Sequence, residues 1–490
     1  MKNIFTFILI FLSLLLLNCS YEFPSSPQQG QDPGSLSLDR VVVLGGSSAA
    51  GFMDGALYTE GQSSSFGNIL INHINEDSYN QFAINSENGL NQEATEFESN
   101  GVRGKYSLEF LDIDLNTILQ LSSDGENVQA FQGEADSVNE YAFPGLTADL
   151  IDDEIGTVSN QYLSRADFNP QTSLIDQVIS KNPSLVIIAF GMEEVLSYTV
   201  KGASGDLDPD PDTSISGDAV LPEEFSLALN NLMTRIRLET SAEVVLFNVP
   251  DIVNVPYFSE VEYYFNDVSI PDGTLNNFYA DFNQAVQFHN TTADRQNRRP
   301  IIDFYTPAGQ DGTQLVIVDE DLPQAFGENG QEIPKYRQAT ENDLILYPVK
   351  KLRFRDENFD PKQDRYSEFG GLVPLADEYV ITPTEKSDIN FLVQQYNQTI
   401  EGISRESARF RVFDFKAFIR NVTSGAFSSN GVIFSASVQR KGIYSADGIY
   451  FNPQGNALLA NELINFINSN YDAKLIQIDP NSFRGNVFSN

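Results

Sequence analysis

Three unbroken apolar runs, rich in β-branched side chains, constrain what this chain can fold into. They are Val41-Val42-Val43-Leu44, residues 185–190 (Leu-Val-Ile-Ile-Ala-Phe) and Val244-Val245-Leu246-Phe247. A strand with one wet face alternates polar and apolar residues; runs without alternation are buried on both faces, as in a parallel sheet covered by helices. Helical patterns separate them, over residues 66–74, 173–179 (stopped before Asn182-Pro183) and 225–238. Strand, helix, strand, helix at this spacing predicts right-handed βαβ units and a mainly parallel sheet. The rhythm returns with a helix over 383–403, whose Ile389, Leu392, Val393, Tyr396 and Ile400 share one face, and a short strand over 411–415. A last helix opens at Asn452-Pro453, a cap followed by proline at the first helical position, with Leu459, Leu463, Phe466 and Ile467 inward.

Residues 296–375 break the rhythm. Residues 301–305 and 314–319 read as strands among acidic residues and glycines, which predicts an inserted β-rich subdomain, a cap near the site. Its aromatic residues Phe304, Tyr305, Tyr336 and Tyr347 are candidates for a glycan-binding platform or for core packing. With 490 residues, 41% of them hydrophobic and 36 phenylalanines, the chain has ample material for a large core. A net charge of −38 argues against nucleic acid or an anionic membrane surface as the main partner. The run from Asp206 to Asp212 lacks the glycine and terminal glutamate of a calcium-binding loop and reads as a solvated acidic loop. No metal or cofactor is expected.

The beginning of the chain reads as a processing segment. Lys2 precedes an apolar stretch over residues 4–17, which at 14 residues is short for a membrane span of about 20 but suits a signal peptide. Residues 1–18 are therefore expected to be removed, 19–35 to form a flexible Pro/Gln/Ser/Gly tether, and 36–490 to form the folded body. Leu16-Leu17-Asn18-Cys19 resembles a bacterial lipobox, and Cys19 is the only cysteine. The resemblance implies lipidation at Cys19, a membrane-lipid anchor and a place in the cell envelope, at the outer membrane. Ordinary signal-peptidase cleavage, leaving a soluble exported protein, is the alternative.

The turns after the strands resemble the motifs of the SGNH (GDSL-type) hydrolase superfamily, in particular a group of exported bacterial lipoproteins, over nearly the whole mature chain. Gly45-Gly46-Ser47-Ser48-Ala49-Ala50-Gly51-Phe52 matches the first block, continued by Asp54-Gly55-Ala56-Leu57-Tyr58 and Glu60-Gly61-Gln62. Pro144-Gly145-Leu146 matches the second block, and Asn248-Val249-Pro250-Asp251-Ile252 with Pro256-Tyr257-Phe258 a later stretch. Asp447-Gly448-Ile449-Tyr450-Phe451-Asn452-Pro453 matches the last block. The fold implied is α/β, a three-layer α/β/α sandwich of the flavodoxin-like kind. The implied chemistry is ester hydrolysis: a serine attacks the carbonyl, a histidine takes its proton, an aspartate orients the histidine, and main-chain and asparagine donors hold the oxyanion. By that resemblance Ser47 is the nucleophile, Gly145 an oxyanion donor and Asp447 the orienting carboxylate.

Two positions depart from the pattern decisively. Tyr450 stands where the family has histidine, and Glu193 where it has the oxyanion asparagine. A phenol with an ordinary pKa of about 10 is not a base at neutral pH. Loss of a triad histidine can cost about 10⁶ in rate, and loss of one oxyanion donor about 10²–10³. A carboxylate there also repels the charge the site should stabilise. His73 and His289, the only histidines, have Leu70 and Val286 rather than aspartate three residues before them. The leading expectation is a lipid-anchored, catalytically degenerate member that binds an ester or glycan ligand. The alternative is a rewired serine ester hydrolase in which Glu193 or Glu194 is the base for Ser47, or pairs with Asp447 around a metal ion.

Overall fold

The computed structural model describes residues 31–75, 79–90, 103–110, 118–126, 129–209, 217–265, 272–304, 313–353, 369–425, 427–429, 431–439 and 441–489. Cys19 and the expected signal peptide lie outside the described residues, as do Tyr305 and residues 210–212. The three apolar runs become neighbours in one five-stranded parallel sheet. Its strands are β1 (Val41–Gly45), β2 (Glu140–Ala142), β3 (Leu185–Ala189), β4 (Glu243–Phe247) and β5 (Phe410–Phe413), in the order β2-β1-β3-β4-β5. β1 and β3, the central pair, are buried at every position, which is why neither alternates. Their register pairs Val41 with Leu185 and Gly45 with Ala189, so the carboxyl ends of the two strands lie level.

Among the helices are α1 (Phe66–Asn75), α2 (Leu174–Ser180), α3 (Met192–Thr199), α4 (Pro222–Glu239), α5 (Pro383–Ser404), α6 (Phe415–Thr423) and α7 (Pro453–Asn470). They pack in groups: α1 against α7, and α4 against α5 and α2. Local chemistry fixes their starts. Thr382 caps α5 through the Glu385 amide while Glu385 returns a bond to the Thr382 amide. Asn452 caps α7 at the Gly455 amide ahead of Pro453.

Within residues 296–375 the described strands are short: Thr313–Gln314, Val316–Val318, Tyr336–Gln338 and Leu344–Ile345. Val316–Val318 pairs antiparallel with Tyr336–Gln338, and Leu344–Ile345 with Val380–Ile381. A small core of Leu315, Ile317, Ala339, Ile345 and Val349, separate from the main one, lies beneath them. The strand expected from residue 301 does not form over the described residues 301–304. Their amides are taken by side chains: Ile302 by Asn283, Asp303 by Gln338 and Phe304 by Asn276. Phe304 and Tyr347 are buried and Tyr336 is half-buried, so these three pack inward and do not form an exposed platform. Among the described residues no helix is long and apolar enough to cross a membrane.

Candidate functional site

The segments that leave the carboxyl ends of β1, β2 and β3 converge. Ser47 opens a one-turn helix, Ser47–Ala50, closed by Gly51 at φ +74°. Gly145 sits in the turn after β2, and the Phe143 amide donates to Gly45 O, tying that turn to the end of β1. Gly191 follows β3 at φ +100°; a Cβ there would stand 2.4 Å from Val249 Cγ2, so only glycine fits this bend into α3. Glu193 and Glu194 lie in the first turn of α3.

The two glutamates point to different places. Glu193 reaches the serine turn: the Ser47 hydroxyl donates to Oε1 at 2.7 Å and the Ser47 amide to Oε2 at 3.0 Å. The Gly145 amide is 3.2 Å from both Glu193 Oε1 and Ser47 Oγ. The Tyr450 hydroxyl approaches Oε2 at 3.5 Å, a distant contact. Burial raises the pKa of Glu193, opposed by the hydrogen bonds from Ser47, Gly145 and Tyr450. The main-chain donors that the resemblance assigns to an oxyanion are thus already bonded to a side-chain carboxyl group of the protein itself.

Glu194 is fully buried and accepts from the Ala148 amide at 2.7 Å and the Gly191 amide at 2.6 Å. It joins the start of α3 to the turn that carries Gly145. Burial pushes its pKa up to about 8, so at neutral pH it is mostly uncharged. Its hydrogen bonds go to these amides and none reaches Ser47.

Asp447 also binds main chain. Oδ1 accepts from the Ile449 and Tyr450 amides at 2.8 and 2.9 Å, and Oδ2 from the Gly55 amide at 2.9 Å. Burial pushes its pKa up to about 6. It fixes the turn that presents Tyr450, and its bonds orient no imidazole. His73 bonds the Ile476 carbonyl and His289 the Asn297 carbonyl, so neither meets Ser47. Tyr450 packs edge-on against Phe52 with ring centres 5.5 Å apart.

Two residues that sequence reasoning gave no role complete the arrangement. Asp54, at φ +55°, accepts from the Ala446 amide at 2.8 Å and the Tyr58 hydroxyl at 2.6 Å, while its own amide donates to the Ser445 hydroxyl. This binds the continuation of the serine turn to the turn carrying Asp447. The signal was present, since Asp54 and Tyr58 lie in a matched motif, but their job is structural. Gly46 is the second: a Cβ there would stand 2.9 Å from both Glu193 Oε2 and Leu146 O.

A small apolar pocket is lined by Phe66, Phe247, Phe415, Ile419 and Leu459, with Ser48, Met192 and Tyr450 also in its wall. Among the described residues no group of three or more His, Cys, Asp or Glu side chains is gathered to hold a metal ion. Comparison with models of known protein families finds no match, and none is found among curated proteins.

Proposed function

We propose that this chain is a lipid-anchored cell-envelope protein on an SGNH-type scaffold, a three-layer flavodoxin-like sandwich. Its ester-hydrolysing site has been converted into a ligand-binding one. The observation that carries this reading is the Glu193 carboxyl group on the Ser47 and Gly145 amides. A substrate carbonyl needs those donors free as negative charge develops on its oxygen. With Glu193 there, the donors are occupied and a buried acid faces the developing charge. Tyr450 removes the base as well: its hydroxyl points as a donor toward Glu193 Oε2, where an imidazole would be needed to accept the Ser47 proton. The sheet order β2-β1-β3-β4-β5, with the site beyond the carboxyl ends of the strands, supports the flavodoxin-like assignment.

A second reading rests on the 2.7 Å contact between Ser47 Oγ and Glu193 Oε1, which is within reach for a general base. In that reading Ser47 hydrolyses esters with Glu193 taking its proton. One experiment separates the two. Hydrolysis of p-nitrophenyl acetate and butyrate is measured for the wild-type protein, Ser47→Ala, Glu193→Ala and the double variant Glu193→Asn/Tyr450→His. A silenced site gives wild-type rates equal to Ser47→Ala, and activity appears in the double variant. Wild-type hydrolysis that disappears in both Ser47→Ala and Glu193→Ala overturns the silenced reading and establishes the rewired one.

A further inference from the structure

The amino-terminal edge of the central sheet, the opposite end from Ser47 and Glu193, carries a cavity of about 420 Å³. That is the size of a small-molecule pocket. Its wall includes Arg40 and Val42 at the start of β1, Val138 just before β2, Lys181 just after α2, and Asp136. The chain has 68 acidic residues against 30 lysines and arginines, so a wall with two cations and one acid departs from the charge of the molecule as a whole. The two valines are buried and supply an apolar patch.

The protein engages these cations only in part. Arg40 Nε donates to the Asn182 carbonyl at 2.7 Å, and among the described residues the two terminal nitrogens of the guanidinium have no acceptor. The Lys181 ammonium donates to the main-chain carbonyls of Asp136 at 2.6 Å and Ala135 at 3.2 Å; among the described residues it bonds no carboxylate. Burial lowers the pKa of Lys181 and the charge of Asp136 opposes this, so a further anion beside the ammonium is favoured. A guanidinium fork with both ends open matches a carboxylate. A phosphate dianion would face the Asp136 charge, whereas an ammonium carried next to the ligand's own carboxylate gives that acid a partner. We infer that the cavity binds a free α-amino acid with an aliphatic side chain. Its carboxylate lies on Arg40 and Lys181, its ammonium on Asp136 and its side chain on Val42 and Val138. Nothing in this site depends on whether Ser47 is silent or active.

The test titrates the purified protein calorimetrically at neutral pH with L-leucine and with two molecules that each lack one of its charges. These are 4-methylpentanoate, which has no ammonium, and 3-methylbutylamine, which has no carboxylate; inorganic phosphate is the fourth probe. Leucine is expected to bind at least about tenfold more tightly than either single-charge analogue, because each forgoes one charge-assisted contact. Arg40→Gln should weaken leucine at least about tenfold. Asp136→Asn should abolish the preference for leucine over 4-methylpentanoate. Both positions are exposed, and the comparison of probes on the wild-type protein needs no variant, so a variant that fails to fold leaves the test intact. No binding of leucine, equal binding of leucine and either analogue, or unchanged leucine affinity in a folded Arg40→Gln protein overturns the inference. Phosphate binding more tightly than leucine also overturns it and identifies a site for a bare anion.

Discussion

Glu140 offers the sharpest quantitative check on the energetics of this fold. It opens β2 at 2% exposure and its carboxyl group meets only neutral partners. The Tyr79 hydroxyl donates at 2.9 Å, the Gln81 amide at 2.9 Å to both oxygens and the Ser65 hydroxyl at 3.3 Å. Burial outweighs these bonds and pushes the pKa from the ordinary 4.5 to about 7. The folded protein therefore holds this proton more tightly than the unfolded chain. Its contribution to stability is complete below about pH 4.5 and is lost as pH rises through about 7. A rise of about 2.5 pH units corresponds to about 3 kcal/mol, a large part of a typical 5–15 kcal/mol stability. Urea unfolding at about pH 4 and about pH 8.5 should show wild-type stability falling by about 3 kcal/mol more than that of Glu140→Gln. The amide is isosteric, neutral throughout, and able to accept from Gln81 and donate to Tyr79. Glu194 and Asp447 titrate in the same direction in both proteins, so they cancel in the difference. An identical pH dependence in the two proteins refutes the reasoning.

Arg337 is held by Asp319 and by both oxygens of Asp343, all three side chains largely buried. Arg337→Met should cost about 3–5 kcal/mol, because two acids are left without their cation. Thermal unfolding reads the loss, and a cost below about 1 kcal/mol contradicts it. Gly46→Ala should destabilise by about 1–3 kcal/mol through the contacts of the new methyl with Glu193 and Leu146. Combined with Glu193→Ala its cost should shrink by at least about 0.5 kcal/mol in a double-mutant cycle of urea unfolding; strict additivity contradicts the contact.

Much of the scaffold was legible because burial on two faces leaves a plain mark. The runs at Val41, Leu185 and Val244 are apolar without interruption, and each became a strand of the central sheet. Asn452-Pro453 marked the start of α7 because cap chemistry is local. Residues 301–304 misled for the opposite reason. Their pattern permits a strand, but Asn276, Asn283 and Gln338 supply partners for their amides, and nothing local announces side chains that far away. Asp447 illustrates a partial reading. Motif position suggested a residue that orients a base, whereas its hydrogen bonds to the Ile449, Tyr450 and Gly55 amides make it the brace of a turn.

Positions 46, 193 and 450 lie far apart along the sequence, and in space they meet at one carboxyl group. Glu193 can lie across the Ser47 amide only because position 46 carries no Cβ, which would otherwise stand 2.9 Å from Oε2. Tyr450 presents a hydroxyl toward the same oxygen, a donor where a proton acceptor for Ser47 would be needed. On the proposed reading, a histidine at 450 alone would leave the donors filled, and an asparagine at 193 alone would leave no base. A rate gain that requires both changes is therefore the signature of a site altered as a unit. Glu194, one residue along, has the same chemistry and a different fate: its backbone partners at Gly191 and Ala148 hold the Gly145 turn where Glu193 meets it.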